Sequence, residues 1–214
     1  PFMATSCCPA WSVMAKKLFP EQANSISMAL TPMTLTARLI KHHQPGAKVA
    51  FIGPCAAKKL EAMRRTVRSE VDFVLTFEEM AGIFEARHID VNTLKEDPHG
   101  VNDASADGRN FAVSGGVAQA VVNVIKEKYP DREIKVANAE GLSECRKLMM
   151  MAKAGKYNGY LLEGMACPGG CVAGAGTMQS IKKSSVAVNM YAKQAEHQVA
   201  TGTHHVAELD KLVD

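Results

Sequence analysis

Short apolar runs rich in β-branched or aromatic residues alternate along this chain with stretches of helical pattern, and that succession limits the folds open to it. The runs are Lys48 to Pro54 (KVAFIGP), Asp72 to Phe77 (DFVLTF), Asn110 to Ser114 (NFAVS), Glu133 to Asn138 (EIKVAN) and Asn158 to Leu162 (NGYLL). Helical patterns cover about Glu21 to His42, Ala56 to Arg68, Glu78 to Ala86, Val117 to Glu127 and Ser143 to Ala154, with a polar one within Val186 to Val199 and a further helix after TSCCP. Strand, helix and strand in turn imply an α/β fold: mainly parallel sheets flanked by helices, with ligands gathering at the carboxyl ends of the strands. Thr93 to Arg109, with Pro98, Gly100 and Gly108, reads as a long exposed loop.

Such a fold needs a core, and 214 residues with 47% hydrophobic and 22% charged side chains supply one, which excludes a disordered chain. The net charge of +3 is too small to argue for nucleic acid or a membrane surface. Ten Lys and Arg against three Asp and Glu make residues 1–70 basic, which suits a solvated surface or a face toward an acidic protein. No apolar run reaches the roughly 18 to 20 residues of a membrane span. The chain begins at Pro1, without an initiator Met or a signal-peptide pattern, and reads as a piece of something longer.

The six cysteines are Cys7, Cys8, Cys55, Cys145, Cys167 and Cys171. A secreted disulfide scaffold would be shorter and denser in cysteine, and adjacent Cys7 and Cys8 can hardly bridge each other. A reducing, cytoplasmic setting with thiols kept for metal or chemistry is expected. Cys55 ends KVAFIGPC, Cys167 and Cys171 follow NGYLLEGMA in CPGGC, and Cys7 and Cys8 lie in TSCCP before a helix. Strand ends are where sheet topology can bring separate segments together. Four thiolates there suit a cubane 4Fe-4S cluster or a zinc ion, and ordinary buried cysteines are the third reading. Gly169, Gly170, Gly174 and Gly176 let the chain approach a bulky group closely.

Three segments carry more than spacing. TSCCPAW at 5–11, GPCAAKKLE at 53–61 and EGMACPGGCVAGAG at 163–176 resemble, in order, the three signature motifs of the FeFe hydrogenases, and SGGV at 114–117 is similar to a further family segment. The resemblance spans 1–178 and implies the C-terminal portion of the catalytic domain, in two lobes with the cluster in the cleft between them, followed by a helical tail over 179–214. It implies an H-cluster: a 4Fe-4S cubane linked to a diiron subcluster with carbonyl (CO), cyanide (CN) and azadithiolate ligands. By the same resemblance Cys8, Cys55, Cys167 and Cys171 would be the cubane ligands, Cys171 also bridging to the diiron unit, and Cys7 would pass protons. Lys58 matches a lysine that hydrogen-bonds a cyanide. Met165 and Phe111 match groups packed near the diiron unit, with Pro54 and Gly170 beside the cofactor. Glu61 and Ser27 align with polar positions of the site and proton path.

The implied activity is the interconversion of H2 with protons and electrons, as an oxidoreductase of anaerobic hydrogen metabolism. Its implied partners are an electron carrier such as ferredoxin or a partner subunit, maturation enzymes, and a preceding N-terminal part or partner chain that completes the cofactor pocket. Relatives that only assemble iron–sulfur clusters are expected to lack the paired cysteines of TSCCP and the lysine after PC, both present here, and a hydrogen sensor would have an altered proton relay. Three departures bear on subtype: Gly53 where many members carry Met, Met33 where the commonest group has Gln, and Ala175, Thr177 and Met178 within the segment usually GGGQP. Met149, Met150 and Met151 read as helix core filler and Cys145 as an inert helix cysteine. His42, His43, His204 and His205, with no carboxylate or cysteine at ligand spacing, read as surface residues.

Overall fold

The computed structural model describes residues 1–95 and 103–209. In chain order the elements are β1 (Met3–Ala4), α1 (Pro9–Leu18), α2 (Pro32–His43), β2 (Ala50–Ile52), α3 (Ala57–Met63), β3 (Phe73–Leu75), α4 (Phe77–Ala86), α5 (Ala106–Asn110), α6 (Gly116–Lys128), β4 (Lys135–Glu140), α7 (Leu142–Lys153), β5 (Tyr160–Met165), α8 (Ile181–Lys193) and α9 (Val206–Leu209). The strands form two separate parallel sheets, one ordered β1-β5-β4 and one pairing β2 with β3. This is the α/β architecture with parallel sheets that the alternation predicts.

β5 is the axis of the larger sheet. Successive side chains of a strand point to opposite faces, and the two faces of β5 have different company. Leu162 belongs to a core with Trp11 and Ala15 of α1 and Leu148 and Met149 of α7. A Cβ on Gly164, two residues on, would lie 2.3 Å from the Trp11 ring, so that position must be glycine for α1 to seat. Trp11 itself is fully buried and donates from Nε1 to the Thr5 carbonyl at 2.9 Å. On the other face Leu161 lines a cavity with Val117 and Val121 of α6. In the smaller sheet, Asp72 fixes the entry to β3 by accepting from Val49 N at 2.8 Å and pairing with Lys41 and Lys48. Thr76 and Glu79 close a reciprocal capping box at the start of α4.

Several sequence expectations need correction. NFAVS is not a strand: α5 ends at Asn110, and the backbone then turns, with Val113 N donating to Asn110 O at 3.0 Å. The helical pattern over 21–42 is divided. A 3₁₀ turn (Pro20–Ser25) gives way to extended backbone at Ile26, which bridges to Ala4 in parallel. Pro32 then opens α2 behind the Thr31 cap, because proline fits the first turn and not the interior. α3 stops at Met63, where Arg64 turns extended, and the C-terminal helix begins at Ile181 rather than near Val186. The loop expected over 93–109 contains α5 at its end, and its middle, 96–102, lies outside the described residues. Cys145 is fully buried in α7, as an inert cysteine would be. Among the described residues no helix is long and apolar enough to cross a membrane.

Candidate metal centre

Each cysteine motif is placed by a strand end or a helix start. Cys8 is the residue before α1, its carbonyl accepting from Ser12 N at 3.0 Å, with Pro9 opening the helix. Cys55 follows β2 through Gly53 and Pro54, and its carbonyl accepts from Lys58 N at 3.3 Å as α3 begins. Cys167 comes two residues after β5 and Cys171 starts a 3₁₀ turn (Cys171–Ala173).

The CPGGC loop is seated on the misread NFAVS segment. Gly170 has φ +93, and a Cβ there would stand 2.6 Å from Ser114 N and 2.8 Å from Ala112 O. Ser114 N donates to Gly169 O at 3.2 Å and Val172 N to Ala112 O at 3.0 Å. Those bonds satisfy the backbone groups that a strand would have given to a neighbour. Glu140, at the end of β4, accepts from Gly169 N at 2.7 Å. On the far side the loop meets the Cys55 turn, where Gly176 N donates to Pro54 O at 2.9 Å.

These placements bring Cys7, Cys8, Cys55, Cys167 and Cys171 to one cavity of about 130 Å³, which Lys58, Met165 and Gly170 also line. A second cavity of about 260 Å³ is lined by Cys7, Cys8, Cys55, Cys171, Lys58 and Met165 again, now with Pro54, Phe111, Met33 and Arg109. The two share Cys7, Cys8, Cys55, Lys58, Met165 and Cys171. Ser27 lines neither: it borders a third cavity, of about 460 Å³, together with Cys7 and Phe111. Glu61 lines none of the three, but stands buried behind Lys58, its Oε2 2.7 Å from the Lys58 Nζ. The same Nζ reaches the Cys7 carbonyl at 3.5 Å.

The charge pattern suits a cationic guest. Burial pushes the Cys171 thiol up to about 12, with Cys55 and Cys8 adding to the shift and Lys58 opposing it. Cys167 is raised by burial and then by Cys55 and Cys8. Four thiolates in one apolar cavity would repel one another, and iron or zinc bound between them would remove that cost. Cys7 is likewise pushed up to about 12, by burial first and then by Glu163, Cys8 and Cys171, with Lys58 again opposing.

Glu163 escaped the sequence reading as a separate site residue. It is fully buried in β5 and accepts from Gly115 N at 2.7 Å and Ala118 N at 2.6 Å, capping α6 from another element. Burial raises its pKa, and those two N–H groups hold the rise back. The signal was a lone carboxylate within the apolar run YLLEGM. Arg109, buried beside the cavity of about 260 Å³, is a second residue that the reading of 93–109 as an exposed loop does not single out.

Comparison with known proteins bears on the family and the fold. Residues 1–175 match the family described as the iron-only hydrogenase large subunit, C-terminal domain. The periplasmic [Fe] hydrogenase large subunit of Nitratidesulfovibrio vulgaris is 30% identical over 80% of this chain and 50% of its own length. The cytosolic Fe-S cluster assembly factor NAR1 of Kluyveromyces lactis is 26% identical over 60% of this chain and 29% of its own. In fold, an apo variant of the [FeFe]-hydrogenase HydA1 from Chlamydomonas reinhardtii superposes with a TM-score of 0.76 at 23% identity, covering 99% of this chain and 71% of that one. The chain spans half or less of the length of the curated hydrogenases it matches, at 50%, 36% and 45%. With motif order, parallel-sheet topology and the matched span in agreement, the chain belongs to the iron-only (FeFe) hydrogenase large-subunit family, through its C-terminal domain.

Proposed function

We propose that this chain is the cluster-bearing portion of an FeFe hydrogenase that interconverts H2 with protons and electrons. One observation carries the reading: five cysteines and a buried lysine line two adjoining cavities. The donor set fits an H-cluster. Cys8, Cys55, Cys167 and Cys171 would hold the 4Fe-4S cubane in the smaller cavity, and Cys171, by the family resemblance, would link it to a diiron subcluster in the larger. When bound, that cofactor would supply the iron site at which dihydrogen is formed or split and would pass the two electrons to or from a carrier.

The protein's own groups have distinct duties in this reading. Lys58 offers an ammonium inside an apolar pocket, where it stabilises an anionic ligand such as cyanide far better than in water. Glu61 fixes Lys58 in place. Cys7 is committed to no metal, and its Sγ holds a proton at the wall common to all three cavities. Met165 and Phe111 exclude water from the larger cavity, while Pro54 and Gly170 set the spacing of the two cysteine loops. Ser27 borders the cavity on the outer side of Cys7 and would carry protons toward it. Electrons would come from a carrier such as ferredoxin or a partner subunit, maturation enzymes would insert the diiron unit, and further chain or a partner would complete the wall.

A second reading is a relative that holds iron–sulfur clusters without turnover, and the match to a cluster assembly factor favours it. Cys7 and Lys58 weigh the other way, since cluster holding alone needs neither. The test is to mature the full-length parent anaerobically and to record hydrogen evolution and infrared spectra on the same samples. Carbonyl and cyanide bands with evolution are expected; a loaded cluster that never turns over would replace the enzyme reading with the assembly one.

A further inference from the structure

Away from the cysteine cavities, the chain gathers another set of ligand-type side chains from three distant segments. Asp103 lies just before α5, His204 and His205 just before α9, and His43 at the end of α2. Here the expectation that these histidines lack carboxylates at ligand spacing is wrong. One ligand atom each from Asp103, His204 and His205 lie within 4.8 Å of one another. His205 Nε2 stands 3.4 Å from Asp103 Oδ2. That is longer than a good N–H to oxygen hydrogen bond of about 2.7 to 3.2 Å. It matches two ligands of one tetrahedral ion, because bonds of about 2.0 to 2.1 Å at the tetrahedral angle put the ligand atoms about 3.3 to 3.4 Å apart.

The other ring nitrogen of His205 has its own partner. Nδ1 is 3.6 Å from Glu208 Oε2, and the same oxygen is 3.4 Å from His43 Nε2. A ligating histidine commonly turns its second nitrogen to a carboxylate, which fixes the tautomer and the ring plane. Two imidazoles with a carboxylate select zinc and its transition-metal neighbours over magnesium or calcium, which prefer oxygen throughout.

We propose that Asp103, His204 and His205 bind one divalent transition-metal ion of the zinc class, with Glu208 orienting His205 and water completing the coordination. The ion would staple the segment before α9 to the segment before α5. The first turn of α5 is already bonded to the 197–198 segment of the same chain, Ala106 N to His197 O at 2.8 Å and Asp107 N to Gln198 O at 3.1 Å. The staple extends that seam to the molecule's edge. It does not rest on the hydrogenase reading.

The test is a Zn2+ titration of the parent, His205→Ala, Asp103→Asn and Glu208→Gln by calorimetry and metal analysis under reducing conditions. All four keep the same cysteines, so ions taken by thiols count equally. The parent should bind one more equivalent than His205→Ala, and its melting temperature should rise further with Zn2+. Asp103→Asn, a change of one atom, should weaken that equivalent at least about tenfold, and Glu208→Gln by about 10- to 100-fold. Equal stoichiometry in the parent and His205→Ala, or an extra equivalent that Asp103→Asn leaves unchanged, would mean an adventitious ion only and overturn the proposal.

Discussion

Cys7 and Cys8 are adjacent in sequence, yet the proposed function gives them unlike duties, and substitution separates them. Both line the two cysteine cavities, but only Cys7 also borders the third. A serine hydroxyl is a far weaker acid than a thiol and passes protons poorly. Cys7→Ser in the matured full-length parent should keep the carbonyl and cyanide infrared bands and lose turnover by about 100-fold or more, if proton transfer limits the rate. Cys8→Ser should instead lower bound iron, measured on the same preparations. A Cys7→Ser enzyme evolving hydrogen at the parent rate would remove the relay. At this scale the motifs made the cysteines, Lys58 and Met165 legible. Glu163 was hidden because its partners, Gly115 N and Ala118 N, come from an element far away in sequence. Asp103 was hidden from His205 for the same reason.

Elements are held in place here by backbone contacts as much as by side chains. Gly170→Ala would force a Cβ against Ser114 N and Ala112 O at a left-handed φ of +93. A strained residue of that kind costs about 1 to 3 kcal/mol, and relief requires the CPGGC loop to lift from the 112–114 turn. Lower iron retention and a lower melting temperature should follow together. In the smaller sheet Asp72 is held well below the ordinary carboxylate range, chiefly by the Val49 N–H and then by Lys41 and Lys48. Its stabilising effect is therefore present above the unfolded carboxyl pKa of about 3.9 and fades as pH falls below it. Asp72→Asn should melt below the parent at pH 7, and the gap should close in acid. Melts that differ equally at both pH values would show that the charge is not what matters. Strands such as KVAFIGP are legible because a short run of β-branched and aromatic residues ends at glycine and proline, even though β2 itself stays largely exposed in the fold. NFAVS wrote the same run, yet its backbone groups are taken by Gly169 and Val172, which no local pattern encodes.

The described residues form two sheets with no strand in common, and the cysteines come from loops on both. α/β class and parallel topology were legible from alternation alone, whereas the division into two sheets depends on which strands pair, a matter of distant contacts. Anaerobic reconstitution should give about four irons per chain before any diiron unit is inserted, and zinc uptake without iron would contradict the cubane. The arrangement of Cys8, Cys55, Cys167 and Cys171 has a consequence for folding as well. A cluster held by sulfurs so far apart in sequence is a cross-link that closes two long loops of the chain. By analogy with disulfides, each closure removes on the order of 3 to 5 kcal/mol of freedom from the unfolded state. Iron removal should then act as a denaturant: amide exchange should quicken in β2 and β3 as well as beside the cysteines, so that holding the metal and holding the fold become one measurable property.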